Sequence, residues 1–280
     1  MKKIIFITLS LIVLAFSSCT KHMVEFDAIP LDENAAQFQL HYIEAVAASS
    51  SNYIDSVFIN DVLYSSVKGS GQLLTYNGIP GGAVGKFFSS KSGSNNIKLY
   101  RKGDVIYDRN ITLMKGKQNV FIYDMNSDPI VIDNKYPYFP ERPSVSETWG
   151  TDSIATVSFC NFMFETPGVP YTESKLQYQY KDPRTEMWMN VGEPVGFGEA
   201  TERCAVPVIK AIFNSSGSVR VDYRIITNDG EVLQRMNTKG VYYDYSDWWT
   251  TYIGRSYMHL FVMCRSDKSL RAAVKIWTSQ

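Results

Sequence analysis

Histidine and cysteine are scarce in this sequence, and their scarcity limits the chemistry that the chain can perform. Three histidines occur, His22, His41 and His259, and no HExxH or HxH pattern joins them. Zinc sites are usually built from closely spaced histidine and cysteine ligands, so no metal is predicted. The GxSxG, GxGxxG and P-loop motifs are also missing. We therefore predict no cofactor, no catalytic residue and no enzyme activity.

A net charge is missing as well. The 28 basic residues equal the 28 acidic residues. A nucleic-acid partner leaves a basic footprint, and without one we expect none. Carboxylates that pair in space leave no trace in a sequence, so a hydrolase with an unrecognised site stays an alternative. The apolar content of 45% is ordinary for a folded globular protein.

The cysteines are few and far apart. Cys19 stands alone near the start, and Cys160, Cys204 and Cys264 follow without any CxxC spacing. The odd number in the body leaves at least one thiol outside a disulfide, and the sequence leaves their pairing open. Cys264 alternates with apolar side chains of residues 258–262, which predicts a small buried hydrophobe on a strand.

Long apolar runs are missing except at the start. Residues 4–16 carry no charge, follow two lysines, and fall short of the roughly 20 apolar residues that a membrane-spanning helix needs. Small residues, Ser17 and Ser18, then precede Cys19. This pattern predicts a signal peptide that is cleaved just before Cys19. It resembles the lipobox of bacterial lipoproteins, with Phe16 at a position that is usually aliphatic, and implies a lipid anchor on Cys19.

Short strand-like runs dominate the rest of the sequence. Asn60-Asp61 stands between two β-rich runs, and so does the turn at Gly103, which predicts two hairpins. A further turn is predicted at Gly116. Such spacing, with no clear amphipathic helix, is typical of an all-β sandwich.

The predicted fold class is all-β, with two tandem immunoglobulin-like β-sandwich domains after a lipoprotein signal peptide. Pro137, Pro140 and Pro143 favour an extended connector between the two sandwiches. The predicted boundaries are 1–18 for the signal peptide, 19–35 for the lipidated tether, 36–133 for the first sandwich, 134–150 for the proline-rich linker and 151–280 for the second sandwich.

The two predicted sandwiches resemble diverged copies of one unit. The offset between matching segments grows along the chain, so the second copy is expected to carry insertions. The matching segments are 38–42 with 157–161, 101–106 with 228–233, and 119–123 with 259–263.

The first predicted sandwich also resembles a known family. Residues 54–61 read Ile-Asp-Ser-Val-Phe-Ile-Asn-Asp, which is similar to a hairpin of the bacterial domain-of-unknown-function family 4397, although that family prefers Asp-Gly at the turn. The resemblance covers residues 37–133 and, more faintly, 154–267. It implies immunoglobulin-like sandwiches in exported, often lipid-anchored proteins of the Bacteroidota, and it brings no known activity. The segments that resemble its closing strands and last turn are 97–100, 105–107, 114–117 and 120–123.

Residues 241–257 form an unusual aromatic-rich segment. The matching connection in the first copy is the short turn at Gly116, so we interpret the segment as an inserted loop, where binding residues commonly lie. Its rings and charges suit a glycan or a protein partner. The alternative is that the rings cover the open end of the sandwich or pack against the first domain. The candidate ligand-binding residues are Trp248, Trp249, Tyr245, Asp247, Tyr252 and Arg255.

Two other tryptophans are expected to be structural. Trp188 alternates with Met187 and Met189, which predicts packing in the sandwich core or between the domains. Trp149 follows the proline-rich linker and is also expected to pack between the domains.

These features together predict a non-catalytic envelope protein that presents a binding surface for a glycan or a protein. Its membrane partner would be reached through the lipid on Cys19, at the outer membrane, and whether it faces the surface or the periplasm is left open. An accessory or anchoring subunit of a fimbria-like assembly is the main alternative. Fimbrial lipoproteins are typically trimmed after an early arginine, whereas the first arginine here is Arg101, inside the first predicted sandwich.

Overall fold

The computed structural model describes residues 34–47, 49–66, 87–134, 153–209 and 218–278. The described chain is built almost entirely of strands, and its one helical segment is a 3-10 turn at Ser50–Asn52. The predicted all-β, sandwich-like fold class is therefore confirmed. The predicted signal peptide, Cys19, Trp149 and nearly all of the predicted tether and linker lie outside the described residues. Residues 33–280 group into one compact unit, and the division into two domains stays a prediction.

Residues 35–133 supply two four-stranded sheets. Sheet I has the strand order β4-β1-β7-β8, and sheet II has the order β3-β2-β5-β6. The strands are β1 (Ala35–Tyr42), β2 (Ser56–Ile59), β3 (Val62–Ser66), β4 (Phe88–Lys91), β5 (Gly93–Arg101), β6 (Asp104–Leu113), β7 (Gly116–Ile122) and β8 (Ile130–Asp133).

Residues 153–278 supply two larger sheets and one added hairpin. Sheet III has the order β10-β9-β18-β19, with β13 also paired to β9, and sheet IV has the order β12-β11-β14-β17. The strands β15 and β16 pair only with each other among the described strands. The strands are β9 (Ser153–Thr166), β10 (Val169–Pro170), β11 (Leu176–Lys181), β12 (Trp188–Asn190), β13 (Cys204–Val208), β14 (Val219–Thr227), β15 (Gln234–Met236), β16 (Tyr242–Asp244), β17 (Ser246–Thr251), β18 (Ser256–Cys264) and β19 (Ala273–Thr278).

The same parallel pairing occurs in both halves. In sheet I, β1 runs parallel to β7, with His41 opposite Phe121. In sheet III, β9 runs parallel to β18, with Phe159 opposite His259. The other strand pairs in these four sheets are antiparallel among the described residues. Each half is thus closed by pairing its first strand with a late one.

Alternating side chains divide the interior into three apolar layers. On β1, Phe38 and Leu40 pack between sheets I and II. On β18, Tyr257 and Phe261 pack between sheets III and IV. Because strand side chains alternate, the intervening residues of these strands face the opposite side, where sheets I and III pack on each other. That third layer includes Phe121, Ile130, Phe162, Met258, Leu260 and Val262. The order of the layers is sheet II, sheet I, sheet III, sheet IV.

The predicted hairpins at Asn60-Asp61 and at Gly103 are confirmed. β2 pairs with β3 across the first turn, and β5 pairs with β6 across the second. Asn60 and Asp61 have φ of 50° and 62°, and Gly103 has φ of 89°. Both residues of a type I′ turn need positive φ, which asparagine and aspartate tolerate better than most residues. These turns are encoded locally, so the sequence predicts them well.

The turn at Gly116 does not close a hairpin, which corrects the comparison between the two halves. β6 lies in sheet II and β7 in sheet I, so the chain crosses between sheets there. The matching crossing in the second half runs from β17 in sheet IV to β18 in sheet III. The insertion in the second half is therefore the β15–β16 hairpin, which precedes β17.

Candidate ligand-binding face

The aromatic segment at 241–257 is not a loop, and its interpretation as one was wrong. Ser246–Thr251 forms β17, which pairs antiparallel with β14 along its whole length. This pairing places Trp248 opposite Asp222 and Trp249 opposite Val221. Because side chains alternate along a strand, the two adjacent tryptophans point to opposite faces of sheet IV.

Trp249 and Tyr245 lie in the core between sheets III and IV. Their exposed fractions are 2% and 0%, so neither ring is accessible to a ligand. Trp249 meets the ring of His259 edge-on at 4.6 Å between centroids. His259 Nδ1 lies 2.9 Å from the hydroxyl of Tyr178, and the hydroxyls of Tyr223 and Tyr245 are 2.8 Å apart. Trp249 and Tyr245 thus belong to a buried aromatic cluster between sheets III and IV, whereas the packing alternative placed the rings at the open end of the sandwich or against the first domain.

Burial sets the protonation of this cluster. It lowers the pKa of His259 to about 3, so the imidazole is neutral near pH 7. It also raises the pKa values of Tyr178 and Tyr245, which keeps their hydroxyls protonated. A neutral cluster inside an apolar layer avoids the cost of burying charge. The arrangement is that of a core.

The three other candidate residues lie near the two ends of β17, Asp247 at its start and Tyr252 and Arg255 after its last residue. Asp247 is exposed and accepts a hydrogen bond from the backbone N–H of Trp248 at 2.8 Å. The guanidinium of Arg255 lies 4.2 Å from the centroid of the Tyr252 ring. Arg255 is exposed and Tyr252 is half-buried. The described structure thus keeps these side chains at the surface, whereas it buries Tyr245 and Trp249.

Trp248 lies on the outer face of sheet IV and is 50% exposed. The guanidinium of Arg220 on the neighbouring strand β14 lies 4.8 Å from the centre of its ring. Arg220 Nε donates to Asp222 at 2.8 Å. A cation over the ring and an ion pair beside it restrict the rotamers open to this tryptophan. The ring is therefore held partly open to solvent rather than free to rotate.

Trp188 lies on the same outer face, and its prediction as a core or interdomain residue was wrong. It begins β12, at the edge of sheet IV, and is half-buried. Its ring lies 4.4 Å from the guanidinium of Arg224, and Arg224 Nε donates to Gln179 at 2.8 Å. The flanking Met187 is 63% exposed. The alternating pattern around Trp188 indicated a strand correctly but not which face of it would be covered.

The two tryptophans occupy nearby rows across the sheet. Trp188 pairs with Lys181 on β11, and Asp222 on β14 pairs with Trp248 on β17. Three strand spacings separate β12 from β17, which places the two backbone positions roughly 14 Å apart. A parallel row of polar groups runs beside them, in which Gln179 Nε2 donates to Asn190 Oδ1 at 2.8 Å. We call the surface formed by Trp188, Gln179, Asn190, Arg224, Arg220, Asp222 and Trp248 the tryptophan face.

Sequence reasoning missed this face because its members come from four strands. A signal was present for Trp248, since the adjacent Trp249 had to point to the opposite side of any strand. The pairing of Trp188 with Lys181 depends on the β11–β12 register, and nothing in the local sequence fixes that register. The tryptophan face therefore becomes visible only when the strands are paired.

The cysteines supply no reactive site in the described chain. Cys160, Cys204 and Cys264 are all free thiols. Burial raises the pKa values of Cys160 and Cys264 to about 12, which disfavours the nucleophilic thiolate. The prediction that Cys264 is a buried strand residue is confirmed, since it ends β18 with no exposed surface. No group of three or more metal-ligating side chains occurs among the described residues.

A cleft lies where β8 meets the segment that follows β12. Its volume is about 410 Å³, and its lining includes Ile132, Ser158, Glu199 and Thr201. Arg203, at its border, donates to the backbone oxygen of Asn134 at 3.2 Å and also contacts Ser256. These contacts join the two halves of the molecule, so the cleft is a feature of their packing.

Comparisons with known proteins do not assign the chain to a family. No protein-family model matches the sequence, and no curated protein matches it either. Two solved structures align at low similarity: a leucine-rich repeat protein from Bacteroides thetaiotaomicron (10% identity, TM-score 0.20) and the Bacillus anthracis TIE protein (8% identity, TM-score 0.22). The alignments cover 82% and 81% of this chain but only 26% and 33% of those chains. Structural similarity this low does not indicate a function.

Within the described residues, no helix is long and apolar enough to cross a membrane.

Proposed function

We propose that this chain is a non-catalytic, lipid-anchored protein of the bacterial outer membrane, and that the tryptophan face binds a glycan. The lipobox-like sequence at Cys19 supports the anchor. The matching strand orders of the two sheet pairs support two sandwich domains in tandem. A membrane tether concentrates a modest binder at one surface, which suits a protein whose task is capture rather than catalysis.

The observation that carries the glycan proposal is the exposure of Trp248 on a rigid sheet. A half-exposed tryptophan offers a flat apolar surface for the C–H face of a sugar ring. Arginine, aspartate and amide groups beside it offer directed hydrogen bonds to hydroxyls. A few oriented polar groups around an apolar contact surface are the usual composition of a small-ligand site. Because these groups lie on paired strands, the site is formed before the ligand arrives.

The experiment is a glycan array probed with the purified full chain in detergent, with Trp248→Ala and Leu63→Ala as matched variants. Leu63 is 52% exposed on β3, far in sequence from the tryptophan face, and so controls for the loss of an exposed apolar side chain. We expect binding to at least one glycan class, a loss of about tenfold or more with Trp248→Ala, and no change with Leu63→Ala.

Binding that survives Trp248→Ala would remove the tryptophan face as the site. An array without any binding, together with high-order polymers of the purified chain, would favour the fimbria-like assembly instead.

A further inference from the structure

We propose that the ligand of the tryptophan face is an uncharged oligosaccharide that lies across the strands of sheet IV and contacts Trp188 and Trp248 at the same time. This inference rests on the proposed glycan binding and adds the chain length, charge and direction of the ligand. The two rings stand on one outer face at opposite sides of a four-stranded sheet. A single sugar is too short to contact both positions, which are roughly 14 Å apart.

The charges of the face support an uncharged ligand. Arg220 is paired with Asp222 at 2.8 Å, and Lys181 Nζ lies 3.5 Å from a carboxylate oxygen of Glu186. Positive and negative groups thus alternate within hydrogen-bonding distance. An anionic ligand would gain little from Arg220 and Lys181, whose charges already have acidic partners, and it would meet Asp222 between the two tryptophans.

The polar row gives the ligand a direction. Arg224 donates to Gln179, and Gln179 donates onward to Asn190, so guanidinium and amide groups are joined from β14 to β12. Their mutual hydrogen bonds fix the planes of these groups and leave Asn190, which is exposed, with its own amide N–H groups. A chain of hydroxyl-bearing units that crosses the strands would run alongside this row.

Both rings are held in place before binding. Each tryptophan has an arginine of β14 over its ring, Arg224 at 4.4 Å and Arg220 at 4.8 Å. Ordering a flexible side chain on binding reduces affinity, and these contacts remove part of that cost. When one connected ligand reaches both rings, the two contacts both contribute to a single binding free energy. Binding should therefore strengthen steeply once the oligosaccharide reaches the second ring.

The test is isothermal titration calorimetry of the full chain with a length series of the glycan class that binds on the array, from the monosaccharide to the hexasaccharide. We expect affinity to rise by about tenfold or more when the chain becomes long enough to reach both rings. Trp188→Ala should abolish this rise, whereas Trp248→Ala should weaken binding at every chain length. Trp188→Phe should restore part of the rise.

Met187→Ala is the matched control, because it removes an exposed apolar side chain beside Trp188 without touching the ring. It should leave the length dependence unchanged. Glycan binding that needs Trp248 but does not strengthen with chain length would overturn this inference and leave the proposed function standing. Binding restricted to anionic glycans would also overturn it. An array without any binding would overturn both, and circular dichroism of each variant shows that the fold is retained.

Discussion

Residues 35–133 and residues 153–278 arrange their sheets in the same order and use them differently. In the first half, the outer strands β5 and β6 of sheet II are joined by a tight turn at Gly103. In the second half, the matching strands β14 and β17 are separated by the inserted β15–β16 hairpin. The outward positions of β6 include Asp108 and Asn110, whereas β17 presents Trp248. At this strand position the first half presents polar side chains and the second half an aromatic one, although Phe58 and Tyr100 form an aromatic pair elsewhere on sheet II.

The apolar layers inside the two halves also differ, and again the second half is the more aromatic. The layer between sheets I and II is mainly aliphatic, with Leu40, Ile97 and Val120 among its members. The layer between sheets III and IV holds Tyr178, Trp249 and His259 in ring contact or hydrogen-bonding contact with one another. Aromatic pairs prefer tilted, stacked or edge-on arrangements. The second half therefore places more aromatic rings beneath its outer face than the first half does.

The largest expected effect is the loss of Trp249. Trp249→Ala should lower the free energy of unfolding by about 3–5 kcal/mol, because it leaves a cavity beside His259. Trp248→Ala, one residue away on the exposed face, should lower it by less than about 1 kcal/mol. Guanidinium unfolding followed by circular dichroism measures both. Equal losses would show that the alternation of β17 does not divide buried from exposed rings.

The next effect is pH dependence, to which each half contributes one buried histidine. Burial lowers the pKa values of His41 and His259 to about 3, whereas in the unfolded chain both titrate near 6.5. As pH falls below 6.5, the unfolded state binds protons that the native state does not, so stability is lost. The expected loss is roughly 1.4 kcal/mol per pH unit for each histidine between pH 6.5 and pH 5.

Urea unfolding at pH 7.5, 6.0 and 5.0 measures this slope. His41→Phe and His259→Phe should each remove about half of it, whatever they do to stability at pH 7.5. If one variant removes the whole pH dependence of stability, only that histidine is responsible for it, and the two halves do not contribute equally.

The smallest expected effect concerns the contact between the halves. Gly198 has φ of 78°, and a Cβ there would lie 2.5 Å from Ile130 Cδ1 on β8. Gly198→Ala should therefore add the displacement of the flexible end of Ile130 to the backbone strain and cost roughly 2 kcal/mol in total. Gly254→Ala is the control, because its φ is 73° and nothing lies within 4 Å, so only strain remains. The difference in unfolding free energy between the two variants isolates the packing of the halves.

A double variant tests whether the contact with Ile130 causes this difference. Ile130→Ala in the Gly198→Ala background should recover part of the difference, since it removes the side chain that clashes. If Gly198→Ala and Gly254→Ala cost the same, the segment after β12 does not pack tightly on β8.

The features predicted well from the sequence are those encoded over a few residues. The turns at Asn60-Asp61 and Gly103 could be predicted from the residue types alone, because few residue types tolerate the positive φ that these positions adopt. Alternation identified the strand that ends at Cys264 for the same reason, because strand periodicity is visible over a few residues. β17 was missed as a strand, because its aromatic segment was interpreted as an inserted loop.

The candidate site was predicted only in part. Trp248 was named, but its neighbours were sought in the adjacent sequence, where Trp249 and Tyr245 prove to be buried. Its actual neighbours, Arg220 and Asp222, lie on β14, and the companion Trp188 lies on β12. Sheet register joins residues far apart in the chain, and one sequence contains little information about register when the outer face is polar.

The burial of β18 on both faces has a consequence for the order of folding. Up to Val262, this strand packs its odd-numbered residues against sheet IV and its even-numbered ones against sheet I, whereas Met263 breaks the alternation and packs with the even-numbered residues. The strand pairs with β9, and Thr156 and Ser256, which share a hydrogen bond, are 100 residues apart in the chain. Closing so long a segment costs chain entropy before any contact stabilises it. Part of the apolar surface of sheet I therefore stays uncovered until nearly the last segment of the chain arrives, although Phe162 of β9 already packs on Phe121. The slow step in forming the native protein should be the insertion of this one strand, and an interrupted chain would be most prone to aggregate just before it.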